Sequence, residues 1–188
     1  MFRKFSLFLI AVLMFISCDD SSNNTIPVNM SCEILDQIYG GNTDTLELVS
    51  LDIAELPDCI GDLTNLLNLN LGYNEMSTLP ESIANLAKLE ELSIRNNRFT
   101  ILPESIGELT NLKLLWLQDN EFVSMPDFIG NLTNLVWLHI GLNQLTTLPE
   151  SIKNLTKLKD LILKDNNFSE AERTKIQTWL PNCKIKWD

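Results

Sequence analysis

Few side chains of this 188-residue chain could perform covalent or acid–base chemistry. His139 is its single histidine, and Ser93 is the hydroxyl that could act as a nucleophile beside it. A nucleophile and its base must lie about 3 Å apart. The sequence has no G-x-S-x-G turn and no glycine-rich phosphate loop, and it pairs no acids in an evident pocket. Catalysis would therefore require a fold that brings Ser93 to His139.

The four cysteines favour lipid attachment or disulfide bonding over metal binding. None of them has the C-x-x-C spacing of a zinc site, and one histidine cannot complete such a site. Cys18 follows an apolar leader, whereas Cys32, Cys59 and Cys183 lie in the remainder of the chain. We expect no metal and no cofactor.

Acidic residues outnumber basic residues by 25 to 14, which gives a formal charge of −11. The lysines and arginines are scattered and form no basic run. Nucleic acids and anionic membrane surfaces attract basic proteins. We therefore expect neither as a partner of the folded part of the chain.

A pattern that repeats every 23 residues runs through most of the chain. Its asparagine recurs in every copy, at Asn74, Asn97, Asn120, Asn143 and Asn166. Apolar residues with the spacing L-x-x-L-x-L-x-x-N precede each asparagine, with isoleucine for the third leucine at Ile94 and Ile140. A Leu-Pro or Met-Pro step, with an isoleucine three residues after the proline, occurs in the same frame. An unbroken period of this length indicates stacked coils that bury one continuous core.

Each copy can be interpreted from its local chemistry. The alternation in Leu69-Asn70-Leu71 predicts a short strand whose leucines point inward and whose asparagine points outward. Asn74 comes where the chain leaves that strand, and its amide can satisfy backbone groups of its own and the neighbouring coil. Pro80 predicts an extended corner and then the first position of a short helical or 3-10 turn. The acid after it suits the positive end of that turn.

These motifs resemble the leucine-rich repeat family from about Leu46 to Phe168. The resemblance implies an α/β solenoid with short parallel strands on a concave face and helical or 3-10 turns on a convex face, and it implies no reaction. Ser93 and His139 lie two coils apart in such a solenoid, about 10 Å at the spacing of strands. We therefore expect a protein that is not an enzyme.

The chain divides into one repeat domain and short flanking segments. Residues 1–17 are predicted to be a signal peptide, because Arg3 and Lys4 precede an apolar stretch too short to span a bilayer. The Phe15-Ile16-Ser17-Cys18 sequence resembles the lipobox of Bacteroidetes-type lipoproteins, which implies a diacylglycerol on Cys18 and an anchor in the bacterial cell envelope, at the outer membrane or cell surface. An ordinary secreted protein cleaved nearby is the alternative.

The remaining segments are a tether, two caps and the repeats. Residues 18–30 comprise the lipidated cysteine and a polar tether, residues 31–45 an N-terminal cap with a short helix, residues 46–168 the repeats and residues 169–188 a C-terminal cap. Ser169 with Glu172 predicts a capping box at the start of a helix, and Lys184-Ile185-Lys186-Trp187 predicts an edge strand. Cys32 and Cys59 are close enough in principle to bridge, whereas Cys183 is predicted to be a buried cap residue.

The outward strand positions carry the candidate binding residues. In the 23-residue register the concave face gathers Leu114, Trp116, Trp137, His139 and Ile162, and beside them lie Tyr73, Arg95 and Gln118. We expect this surface to bind a protein partner. A glycan is the alternative because tryptophans flanked by amides and acids also suit sugar rings, and a purely structural spacer is a third. The two tryptophans could also fold down and stabilise neighbouring strands. A flat patch favours protein, and a deep cleft around one tryptophan favours sugar.

Overall fold

The structure is a computed structural model that describes Cys32 and residues 43–187. The predicted signal peptide (1–17), the lipid site and tether (18–30) and most of the predicted N-terminal cap (31–45) lie outside the described residues. These three assignments stay predictions.

Within residues 43–187 a single sheet of seven parallel strands runs in chain order. The strands are β1 (Thr45–Glu47), β2 (Asn68–Asn70), β3 (Glu91–Ser93), β4 (Leu114–Trp116), β5 (Trp137–His139), β6 (Asp160–Ile162) and β7 (Lys184–Lys186). From β1 to β6 the partners are 23 residues apart, as in Trp116↔His139. The last pair is offset by one residue, since Asp160 faces Lys184. The predicted solenoid is confirmed, with one short strand in each coil.

Each coil returns along the opposite side of the solenoid through a short 3-10 helix. These helices span Asp58–Asp62, Glu81–Asn85, Glu104–Glu108, Asp127–Asn131 and Glu150–Asn154. Pro80 is extended, with φ −68° and ψ 148°, and its carbonyl accepts a hydrogen bond of 3.0 Å from the Ile83 N–H. The proline is thus the N-cap and not, as expected, the first helical residue. The i→i+3 bonding of a 3-10 helix begins at the proline carbonyl while the proline itself stays outside.

The core is a continuous stack of leucine, isoleucine and phenylalanine side chains. Leu69 and Leu71 are at most 1% exposed, which confirms the predicted inward alternation. Phe99 and Phe122 stack in adjacent coils with ring centroids 6.3 Å apart. Burying a side chain of this size contributes about 1.5–3 kcal/mol relative to leaving it in water. Because each coil covers its neighbours, this contribution depends on stacking.

Five asparagines, hereafter the ladder asparagines, bond one coil to the next: Asn74, Asn97, Asn120, Asn143 and Asn166. Asn97 Nδ2 donates to the carbonyls of Ile94 in its own coil and Leu71 in the preceding coil, both at 3.0 Å. Its Oδ1 accepts from the Met76 N–H, also at 3.0 Å. The expected role of the asparagine amide is confirmed, since it satisfies backbone groups of two successive coils.

The C-terminal cap is a helix, α1 (Glu170–Trp179), followed by β7. Ser169 Oγ accepts from the Glu172 N–H at 3.2 Å, as expected of an N-cap. The reciprocal half of the predicted capping box is absent from the described contacts, because Glu172 accepts from the Leu148 N–H and pairs with Lys175, both at 3.4 Å. Glu172 therefore docks the helix onto the last repeat. None of the helices in the described residues is both long and apolar enough to cross a membrane.

The three cysteines that the structure describes lie at the two ends of the solenoid. Cys32 and Cys59 are bonded to each other, with Cα atoms 5.7 Å apart. Cys59 belongs to the first 3-10 helix and packs against the core, so this bond ties the chain before β1 to the first coil. Cys183 is buried beside the C-terminal cap. Burial raises the pKa of the Cys183 thiol to about 11, and the nearby Asp160 carboxylate also raises it.

Candidate functional site

The candidate site lies on the concave face, where two rows of side chains project from the strands. Leu114 pairs with Trp137 in one row, and Trp116, His139 and Ile162 are successive members of the other. All five residues are half-buried. The structure thus brings together, on β4 to β6, the five residues that the register predicted to meet.

The C-terminal half of this surface contains a lysine that the 23-residue register does not predict there. Lys186 on β7 reaches across the face and places Nζ 5.5 Å from the centroid of the Trp137 ring. Burial lowers the pKa of His139, and the positive charge of Lys186 lowers it further. Trp137 Nε1 and His139 Nδ1 are buried and donate to or accept from no group in the part of the chain that the structure describes. This half therefore combines a neutral histidine with a tryptophan that is covered by an ammonium group.

A third row follows the strands toward the rim of the face. Arg95 packs its guanidinium carbon 5.1 Å from the ring centroid of Tyr73. Arg95 Nε and Gln118 Oε1 are buried and form no hydrogen bond with the described residues. Gly141 interrupts this row next to His139, and a Cβ there would lie 2.9 Å from the Lys164 carbonyl oxygen. The predicted residues Tyr73 and Gln118 thus border the face, whereas Arg95 lines a cavity together with Trp116.

The rim carries two large apolar residues in strained backbone. Tyr73 has φ 59° and Leu142 has φ 54°, and they are 47% and 49% exposed. The equivalent positions of other coils hold Asn96, Asp119 and Asp165, which suit the left-handed region far better. A bulky side chain in the left-handed region destabilises the fold by about 1 kcal/mol or more. Because these two side chains are exposed, packing offsets little of that cost. Leu142 was missing from the predicted site. The sequence could have indicated it, because a leucine stands there where three other coils have asparagine or aspartate.

The N-terminal half of the face is polar and forms a cavity of about 200 Å³ around Trp116. We call it the Trp116 pocket; it is lined by Glu47, Asn68, Leu69, Asn70, Glu91, Ser93, Arg95 and Trp116. Asn70 Nδ2 donates to Glu47 Oε2 at 2.9 Å. Ser93 was expected to face outward into solvent, yet it is only 8% exposed because these neighbours cover it. Its hydroxyl makes no hydrogen bond to any described residue.

Ser93 and His139 do not form a catalytic pair. Ser93 pairs with Trp116, and Trp116 pairs with His139, so the candidate nucleophile and base are two strands apart. Within residues 43–187 and at Cys32, no group of three histidine, cysteine or acidic side chains is placed to hold a metal. The arrangement is suited to contacting a partner over a broad face.

A parallel solenoid with one strand and one 3-10 helix per coil, and with a partly apolar concave face, defines a class of binding scaffold. Two family descriptions match the sequence: "Leucine rich repeat" over residues 44–99 and "Leucine-rich repeat region" over residues 91–178. The chain belongs to the leucine-rich repeat family. Members of this family are generally non-enzymatic scaffolds.

Solved structures of leucine-rich repeat proteins have the same fold. A Leptospira interrogans leucine-rich repeat protein superposes with a TM-score of 0.80 and 36% identity over 90% of this chain and 42% of its own. The leucine-rich repeat region of FLRT2, in an octameric complex with Latrophilin 3 and Unc5D, has a TM-score of 0.68 and 26% identity over 78% of this chain and 48% of its own.

A third similar structure is a TLR13–ssRNA13 complex, with a TM-score of 0.65 and 29% identity over 74% of this chain and 20% of its own. The chain thus spans less than half the length of each of these proteins. No curated protein matches the sequence.

Proposed function

We propose that the protein is a non-enzymatic lipoprotein of the bacterial cell envelope that binds a protein partner through its concave face. The observation that carries the proposal is the half-buried group Leu114, Trp116, Trp137, His139 and Ile162 on three adjacent strands. Aromatic residues that are partly buried at the centre of a surface are typical of binding hot spots. The strained and exposed Leu142 at the rim extends the same surface.

The net charge of the chain favours a protein partner over a nucleic acid. The leucine-rich repeat region of FLRT2 is found in a complex of proteins, whereas the TLR13 structure contains single-stranded RNA. The present chain carries a net charge of −11. An RNA backbone would be repelled by such a protein, so we assign the concave face to a protein.

Replacing Trp116 and Trp137 together by alanine tests this proposal. Truncating a hot-spot residue costs about 2 kcal/mol or more, so capture of the partner from envelope extracts should weaken at least about tenfold. The melting temperature should change little, because neither ring belongs to the leucine core. Ile101→Ala/Val123→Ala, at two exposed apolar residues outside the strands of the concave face, is the matched control.

The opposite result would overturn the proposal. If the Trp116→Ala/Trp137→Ala protein melted at a much lower temperature while each folded molecule still bound the partner normally, the two rings would be packing residues. The binding surface would then lie elsewhere on the solenoid.

The lipid anchor rests on the sequence of the leader and on Cys18. A single acyl chain binds membranes only marginally, whereas two or more hold a protein stably. Cys18→Ala should therefore move the protein from the membrane fraction to the soluble fraction, and Cys183→Ala should leave it in the membrane fraction. Unchanged partition of the Cys18→Ala protein would remove the anchor from the proposal.

Glycan binding is the second candidate, and the Trp116 pocket is the observation that favours it. The pocket places amide and carboxylate groups beside one tryptophan ring, as a sugar site would. Binding of the purified protein to an array of glycans, with loss of binding in Trp116→Ala, would support this candidate over a protein partner.

A further inference from the structure

Some aromatic rings of the concave face have a basic side chain of the protein against them, and one does not. Lys186 lies over Trp137, and Arg95 lies over Tyr73. Among the described residues, no lysine or arginine lies over Trp116. Trp116 lies on the wall of the Trp116 pocket with no described cation over its ring, and aromatic rings attract cations.

Two carboxylates of the same pocket form no ion pair with any residue that the structure describes. The structure shows ion pairs for other acids on this part of the chain, including Glu75 with Arg98 at 3.2 Å and Glu90 with Lys113 at 2.7 Å. Within the described residues neither Glu47 nor Glu91 forms such a pair. Glu47 accepts one hydrogen bond from a neutral amide, that of Asn70.

The charge distribution along the solenoid increases the attraction of this end for cations. Between residues 43 and 149 the sequence has 15 acidic and 4 basic residues, whereas residues 150–188 have 6 acidic and 8 basic residues. Arg95 is the basic residue that lines the pocket, and its guanidinium is packed over Tyr73. A surface with this excess of one sign raises the local concentration of the opposite charge.

We propose that the Trp116 pocket receives a lysine or arginine side chain from a basic segment of the protein partner. The ammonium or guanidinium group would enter the pocket that Glu47 and Glu91 line, with its alkyl stem or its plane against the Trp116 ring. This inference rests on the proposed protein-binding function and names the chemistry of the partner. A neutral sugar would use the polar groups of the pocket but would leave its two unpaired carboxylates uncompensated.

The test uses small capped amino acids as probes. The purified, ¹⁵N-labelled full chain is titrated with N-acetyl-lysine methylamide, N-acetyl-arginine methylamide and, as the uncharged analogue, N-acetyl-norleucine methylamide. The indole N–H resonance of Trp116, assigned with Trp116→Phe, reports on occupancy of the pocket. We expect saturable shifts with the lysine and arginine probes and none with the norleucine probe.

Two double variants separate a local site from general charge attraction. Glu47→Gln/Glu91→Gln removes both carboxylates of the pocket, and the affinity for the lysine probe should fall about fivefold or more. Glu75→Gln/Glu90→Gln removes the same charge from acids that are outside the pocket and already paired. That control should retain the original affinity, and both variants should keep the rest of the spectrum.

Three results would overturn the inference: no shift of Trp116 with the cationic probes, equal loss of affinity in both double variants, or saturable shifts with methyl glycosides in place of the cations. The proposed function is tested separately by capture of an envelope protein. If capture depends on Trp116 and Trp137 while the cationic probes fail, only the present inference is lost. If the probes bind while capture ignores both tryptophans, the pocket is a cation site and the protein-binding function fails.

Discussion

Replacing the ladder asparagine Asn120 by alanine should lower the free energy of unfolding by about 3 kcal/mol. Asn120 is 9% exposed, and its Oδ1 accepts from the Phe99 N–H at 3.0 Å. Its Nδ2 donates to the carbonyls of Ile94 at 3.0 Å and Leu117 at 3.1 Å. The alanine variant thus removes three hydrogen bonds between buried groups.

The three bonds do not cost the same. The Phe99 N–H has no other partner among the described residues, and an orphaned buried donor costs about 1–3 kcal/mol. The two carbonyls keep a second donor, because Asn97 also bonds Ile94 and Asn143 also bonds Leu117. Each therefore loses only the net value of a hydrogen bond, about 0.5–1.5 kcal/mol. Shared acceptors limit the total to about 3 kcal/mol.

Urea unfolding followed by circular dichroism measures this loss. The control is Asn111→Ala, which removes one exposed hydrogen bond of 2.8 Å to the Ala87 carbonyl and should cost at most about 1 kcal/mol. The reasoning fails if the Asn120→Ala and Asn111→Ala proteins lose the same stability.

An isosteric variant sharpens the test. Asn120→Asp keeps an acceptor for the Phe99 N–H but turns a second, negative oxygen toward the Ile94 and Leu117 carbonyls. Burial and these carbonyls should raise the pKa of the introduced carboxyl in the folded state. Its destabilisation should therefore be full above that pKa and should shrink, relative to the original protein, as the pH falls and the carboxyl becomes a donor.

Two further predictions concern titratable groups. Burial, and to a smaller extent the charge of Lys186, lower the pKa of His139 below 6.5 in the folded protein, so the unfolded chain binds the proton first and the free energy of unfolding should fall as the pH drops through 6.5. His139→Gln should flatten this pH dependence. Equal slopes of urea stability against pH in the two proteins would contradict the prediction. Because the Cys183 pKa is raised to about 11, iodoacetamide at neutral pH should modify Cys183 in urea but not in the native protein. Mass spectrometry of non-reduced peptides should find Cys32 joined to Cys59, and two free thiols would exclude the bond.

The repeat period by itself predicts how the strands pair. The interval from Trp116 to His139 and from His139 to Ile162 is the same 23 residues, so each outward residue must meet its equivalent in the next coil. The ladder asparagines could be predicted for the same reason, since their chemistry is repeated in every coil. The constant 23-residue spacing therefore fixes how neighbouring strands pair, and this pairing fixes which outward side chains form each row of the concave face.

Features that depend on one coil alone could not be predicted in this way. Lys186 reaches Trp137 because β7 follows α1 and pairs with β6 one residue out of the 23-residue period. The burial of Ser93 depends on how Arg95 and Trp116 lie around it, which alternation of inward and outward positions does not specify. Whether each proline is the N-cap or the first residue of its turn depends on whether the turn is α-helical or 3-10, and the sequence did not decide between these two.

The side chains of the ladder asparagines all bond backward along the chain. Asn74 binds groups of Leu48, Leu51 and Ile53 in the preceding coil, and Asn120 binds groups of Ile94 and Phe99. When each asparagine leaves the ribosome, every partner of its side chain has already been synthesised. We therefore expect the protein to fold vectorially, one coil at a time, as the chain emerges N-terminus first from a ribosome or an export channel. Arrest-peptide force measurements on chains of increasing length should show a pulling event for each added coil, and a single event after the last coil would rule out this order of assembly.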